Sequence, residues 1–207
     1  MTIFNAVAVD ARYHRAPPPI QVRPMKIAVN DEQRTQARAP HDLYILNMIL
    51  FNLGGVACLL AYTIGQDPRL IWATVGALAM SLGIFGYIRF RAARIAARGE
   101  WFVAVHWHQA SSRARLVLIG YVVTAAIIGI GLLVGNGSSD HNMRLIMLTV
   151  FTRIGVVPSL LLILVTAILE GQSTHLVNHG IAPGKLVRRF PPPAGVVVLD
   201  AMTEDAG

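Results

Sequence analysis

Polar residues gather at the two ends of this chain, and apolar residues fill its middle in four long runs. The runs cover 43–64, 70–90, 116–134 and 145–169. Crossing about 30 Å of hydrocarbon at about 1.5 Å per residue takes roughly 20 helical residues, and each run approaches or exceeds that length. Lipid offers no partner to a bare peptide group, so the runs predict helices. Barrel strands would be half as long and would alternate in polarity. Two turn-rich breaks, Gly65-Gln66-Asp67-Pro68-Arg69 and Gly135-Asn136-Gly137-Ser138-Ser139-Asp140, read as tight hairpins. The expected fold is an all-α integral membrane protein with four transmembrane helices. Its membrane domain covers 43–169 and includes a loop over 91–115. An extended N-terminal arm covers 1–42 and a tail covers 170–207.

Charge orients these spans. Arg12, Arg15, Arg23, Lys26, Arg34 and Arg38 precede the first run. Arg89, Arg91, Arg94, Arg98, Arg113 and Arg115 lie in or beside the long loop, and Lys185, Arg188 and Arg189 follow the last run. The other side has only Arg69 and Arg144. The positive-inside bias then places both ends and the long loop in the cytoplasm. Tyr44 and Tyr87 fall near the inner boundary, Tyr62 and Trp72 near the outer one, as interfacial aromatics do. The Ala/Arg-rich usage and lack of a sorting signal point to a bacterial inner membrane. No cleavable leader is expected, because the first apolar run comes late and is long; it serves as an uncleaved membrane signal.

Composition agrees with a membrane class. The 207 residues are 54% hydrophobic and only 14% charged, against about 25% charged in soluble domains. The net charge of +7 does not imply nucleic acid, since the basic residues flank apolar runs instead of striping a soluble surface. Their expected contacts are anionic phospholipids and other membrane subunits. A single cysteine, Cys58, rules out an intrachain disulfide or a thiolate metal cluster.

Small residues recur at helical spacing: Ala73, Ala77 and Ser81; Gly76, Gly83 and Gly86; Ala125 and Gly129; Gly131 and Gly135; Gly54 and Cys58. In lipid such faces mark close helix–helix contacts, within the bundle or with other subunits. Asn47 and Asn52 are polar positions in the first run, and Asn52 lies near mid-depth beside Gly54-Gly55. A buried amide there serves as packing glue or contacts a ligand. Arg153 is the one charge inside a run, between Thr149, Thr152, Gly155 and Pro158. If the fourth span starts near Leu148 it is only about 7 Å deep, within reach of the outer headgroups. Its other roles are bonding to another subunit or serving transport or quinone binding. No Asp or Glu falls within the four runs, which argues against a proton-relay pump.

The polar segments carry the remaining candidates. Pro17-Pro18-Pro19, Pro24 and Pro40 predict an extended N-terminal arm, with weak strand alternation over 20–29. In the loop, Trp101, Phe102 and Trp107 beside Arg91, Arg94 and Arg98 predict a segment lying on the inner membrane surface or against a partner. Lys185, Arg188 and Arg189 form a similar patch in the tail, and Val196-Val197-Val198-Leu199 reads as a docking strand for another subunit. His106 and His108, with His175 and His179, provide HxH and HxxxH spacings that suit a transition metal if they meet. No carboxylate stands at the spacing that would supplement them. Haem ligation is disfavoured because the histidines lie outside the runs or at their margins. Walker, dinucleotide, serine-hydrolase, zinc-protease and CxxC signatures are absent.

The expected function is a non-catalytic or accessory subunit of an inner-membrane assembly of the secretion, respiratory or oxygenase kind, with no cofactor of its own. A small oligomeric transporter or channel is the first alternative. A redox anchor binding a metal ion or quinone is the second.

Overall fold

Each apolar run lies inside a helix that outlasts it. The computed structural model describes residues 24–98 and 100–201. Helix α1 (Asp31–Asn47) continues through a π-helical segment, Met48–Leu53, into α2 (Gly54–Gly65), so the first membrane helix spans Asp31–Gly65. The others are α3 (Pro68–Ala97), α4 (Trp101–Asn136) and α5 (His141–Asn178). All four are long and apolar enough to cross a membrane, the architecture of a multi-pass membrane protein. A short α6 (Gly184–Arg189) follows.

The helix starts are written locally. Asn30 caps α1 in a capping box, its Oδ1 accepting from Gln33 N at 2.7 Å while Gln33 Oε1 accepts from Asn30 N. Asp67 accepts from Arg69 N, with Pro68 pre-set in the first turn of α3. Asp140 does the same for α5 through Asn142 N.

Proline inside α1 creates a debt that another helix meets. Pro40 has no N–H, so the carbonyl of Gln36, four residues earlier, has no helical donor. Trp107 Nε1 on α4 donates to that carbonyl at 3.1 Å. A buried tryptophan therefore fixes α1 against α4.

Packing between the helices uses the small residues selectively. A Cβ on Gly131 would collide with the Phe151 side chain, one on Gly120 would meet Leu162 Cδ1 at 3.0 Å, and one on Gly155 would meet Ile127 and Ile128 at 3.3 Å. These three glycines let α4 and α5 approach closely, and Gly55 does the same toward Ala77 on α3. Gly54, Gly76, Gly83, Gly86 and Gly129 have open space instead.

The bundle buries polar side chains among its apolar core and turns large apolar side chains outward. His41, Asn47, Asn52, Ser81, Thr166, Glu170 and Ser173 are buried, while Ile64, Trp72, Val122 and Leu133 point outward. An apolar exterior inverts the usual arrangement of a soluble domain.

At the arginine-rich end the two arms meet. β1 (Met25–Ile27) is the central strand of an antiparallel sheet, between β2 (Ile181–Ala182) and β3 (Val198–Ala201). Gly180, at φ +68°, turns the chain out of α5; a Cβ there would press on Ile27 O at 2.8 Å.

Several expectations change here. Residues 31–42 are helical rather than extended, because the capping box and the buried face of Ala37, Pro40 and His41 carry α1 below the apolar run. The extended reading of 1–23 lies outside the described residues. The 91–115 segment is no surface-lying loop: α3 runs to Ala97, α4 starts at Trp101, and Phe102, Val103 and Trp107 are in the core. The strand within 20–29 and the segment read as a docking strand pair with each other in the chain, as β1 and β3.

Candidate functional site

The densest chemistry lies just inside the arginine-rich end, where α1, α4 and α5 carry polar residues on their facing sides. His41 follows Pro40 on the buried face of α1, with Tyr44 and Asn47 one and two turns further on. His106, Gln109 and Arg113 share one face of α4 at spacings of three and four. Glu170 and Ser173 do so on α5.

Glu170, His41 and His106 form a linear chain across the three helices. Glu170 Oε2 bonds His41 Nδ1, and His41 Nε2 faces His106 Nδ1 at 3.2 Å, with all three side chains fully buried. Arg113 approaches from the side. Its Nη1 donates to Leu169 O and Ser173 Oγ, each at 2.7 Å, and stands 3.2 Å from Glu170 Oε1. Both protons of that nitrogen are thus used elsewhere, and its contact with Glu170 Oε1 is coulombic. Gln109 Nε2 donates to Ser173 Oγ at 2.8 Å.

The order of protons follows. A proton on His41 Nδ1, toward the carboxylate, leaves Nε2 as a lone pair, so His106 donates through Nδ1–H or the two rings share an added proton. Burial holds the His106 imidazole at about 3, well below the ordinary histidine range, and the neighbouring His41 pushes the same way. His106 is therefore the neutral donor in the pair.

This layer is not saturated among the described residues. Asn47 Nδ2 and Oδ1 and Glu170 Oε1 are buried without a hydrogen-bond partner. Such concentrations of spare polar capacity mark places built for something other than stability.

A second polar layer, deeper in the bundle, is closed. Asn52 Nδ2 donates to Ser81 Oγ at 3.0 Å, Ser81 lies 2.8 Å from Tyr121 Oη, and Tyr121 Oη donates to Asn52 Oδ1. With Ser81 donating to Tyr121, the ring runs in one direction and leaves no hydroxyl donor unspent. The second Asn52 proton goes to Asn47 O at 3.0 Å, five residues back, across the π-helical turn. Next to the ring, Thr124 donates to Gly155 O at 2.6 Å and Ser159 bonds Thr124 at 2.7 Å. These bonds tie all four membrane helices together. They also border a mostly apolar cavity of about 200 Å³, with Leu59, Leu78, Ile128 and Val156 in its wall.

The histidines foreseen as a metal set are dispersed. His106 belongs to the His41–Glu170 chain. His108 is half-buried and stacks on Phe190 at 4.7 Å; burial, then Arg189 and Arg89, lower its proton affinity. His175 and His179 are exposed and pack on each other. Among the described residues no group of three or more His, Cys, Asp or Glu is placed to hold a metal.

The basic candidates also separate. Arg91 is half-buried 5.9 Å from the Trp107 ring, and Arg94 lies 4.2 Å from Phe90. Arg98, Lys185, Arg188 and Arg189 are exposed. Trp101 is partly buried, donating to Phe190 O at 2.8 Å. Arg153 is exposed on α5 and makes no ion pair among the described residues.

Sequence reasoning did not single out His41, Tyr44, Gln109, Arg113, Glu170 or Tyr121 as site residues. The available signal was periodicity: His41, Tyr44 and Asn47, or His106, Gln109 and Arg113, each recur on one helix face. Comparison of the chain with protein-family models, curated proteins and solved structures finds no match.

Proposed function

We propose that the chain is a non-catalytic subunit of a larger bacterial inner-membrane assembly, with both ends in the cytoplasm. The observation that carries this reading is one face of α3. Gly76, Ala79 and Gly83 fall at spacings of three and four, are exposed, and continue to Gly86; none of these glycines has an atom within 4 Å of its Cβ position. Gly55, Gly120, Gly131 and Gly155 meet neighbours in the same chain instead. Trp72 and Phe90, 73% and 54% exposed, bound this face at its two ends. A helix from another subunit fits a smooth stripe of this kind, since backbones approach closely only across small residues. The apolar exterior supports insertion, and the basic residues at one end support the orientation.

The test is site-specific photo-crosslinking in intact membranes from Ala79 and Gly83, with Leu161 on α5 as the outward-facing control. The reading expects one partner band from α3 alone, and dissociation of the native particle by Gly83→Ile. A wild-type chain that migrates alone in mild detergent, with no α3 adduct, refutes it.

A second reading, a small transporter or channel, draws on the cavity lined from all four membrane helices and on the buried Glu170–His41–His106 chain. It expects flux through reconstituted protein that disappears in His41→Gln while the fold persists. Flux that is absent or indifferent to His41 removes it.

A further inference from the structure

We infer that the groove between α3 and α4 at the arginine-rich end is a binding site for one anionic phospholipid, its phosphate held by Arg89, Arg115 and Ser111. The groove encloses about 340 Å³ and is divided by chemistry. Leu82, Phe85 and Leu118 line one part, while Arg89, Arg115 and Ser111 line the other. Arg89 stands at the end of the second apolar run and Arg115 directly before the third, so both guanidiniums lie at one membrane boundary. The apolar part then extends from that boundary toward the hydrocarbon.

Both arginines of the groove are uncommitted. Arg113 is engaged inside the bundle, and Arg91 and Arg94 lie by aromatic rings. Arg89 and Arg115 are exposed, with no hydrogen bond or ion pair among the described residues. Two free guanidiniums next to a hydroxyl match a phosphodiester, which accepts several bonds through its oxygens. An adjoining apolar wall distinguishes a lipid from free phosphate, because only a lipid brings acyl chains to Leu82 and Leu118. Basic pockets between membrane helices on the cytoplasmic side bind anionic headgroups on this principle.

The inference rests on membrane insertion and orientation, but not on the assembly partner. The experiment uses the full chain in nanodiscs of phosphatidylcholine doped with phosphatidylglycerol or cardiolipin, with retained lipid counted by native mass spectrometry. Removing two interfacial charges worth about 1 kcal/mol each predicts about a thirtyfold loss of anionic-lipid preference in Arg89→Gln/Arg115→Gln. Arg94→Gln/Arg98→Gln removes the same charge from outside the groove and should shift the preference less than about threefold, because neither arginine lines it. Arg89→Lys/Arg115→Lys guards against misfolding and should recover most of the preference. Inorganic phosphate at millimolar concentration should not displace the lipid.

Equal loss in both glutamine pairs, equal retention of phosphatidylcholine, or displacement by inorganic phosphate overturns the site. A wild-type chain that does not enter the bilayer overturns the membrane reading instead.

Discussion

Replacing Glu170 by glutamine removes one charge from the centre of the arginine-rich layer and changes almost no volume. The carboxylate has His41 Nδ1 on one oxygen and Arg113 Nη1 at 3.2 Å from the other. In Glu170→Gln the amide oxygen can face only one of them, and its NH2 group meets a donor on the other side. The Arg113 charge also loses its counter-ion. Breaking one partner from a buried pair costs about 3–5 kcal/mol. Arg113 keeps 14% of its side-chain exposure and two other acceptors, which places the expected loss near the lower end, about 3 kcal/mol. Reversible unfolding in mixed detergent–SDS micelles, followed by tryptophan fluorescence, measures it. In an Arg113→Met background the same substitution should cost only about 1 kcal/mol, the remaining hydrogen-bond mismatch. A single variant within about 0.5 kcal/mol of wild type would mean that the site holds a neutral carboxyl group, and the ion-pair account would fall.

Further outcomes follow from the same geometry. Trp107→Phe strips the donor from Gln36 O and should cost about 1–2 kcal/mol beyond packing, whereas Pro40→Ala restores a helical donor. The double-mutant cycle should show coupling near 1 kcal/mol, and additivity would disprove the proline–tryptophan link. Gly131→Ala drives a methyl into Phe151 and should destabilise by about 1–3 kcal/mol, while Gly83→Ala should be silent for the isolated chain. Equal effects in thermal melts would show that α4 and α5 are not so close. His106 is held neutral when folded but takes a proton at its ordinary value when unfolded, so stability is lost as pH falls from about 6.5 toward about 3. The slope contributed is up to about 1.4 kcal/mol per pH unit, and unfolding titrations of His106→Gln should lack it.

Hydropathy located the membrane helices but stopped short of the chemistry. Each apolar run falls within one observed helix, because apolar length alone decides which segments can cross. The runs end where charge appears, yet the helices continue into 31–42, 101–115 and 170–178. Those extensions carry His41, His106, Arg113 and Glu170. Cutting the last run at Leu169 removed the one acid from consideration, by a single residue. A polar residue at such a position is indistinguishable from a solvated one until the facing helices are known. Asn52 was legible as mid-depth glue, but its partners Ser81 and Tyr121 come from two other helices and follow no local spacing. The weak alternation around β1 and the apolar run at β3 were legible as strands; that they would choose each other was not, because pairing depends on where the bundle leaves its ends.

The central position of β1 has a consequence for biogenesis. β1 leaves the ribosome before the four long helices among the described residues, whereas both strands that flank it emerge after them. The sheet is therefore a clasp that can close only once synthesis of the membrane domain is finished. β2 adjoins the buried chain, with the Ile181 backbone against the His106 ring. The contact of β2 with the histidine–glutamate layer can therefore form only after α5 has been made.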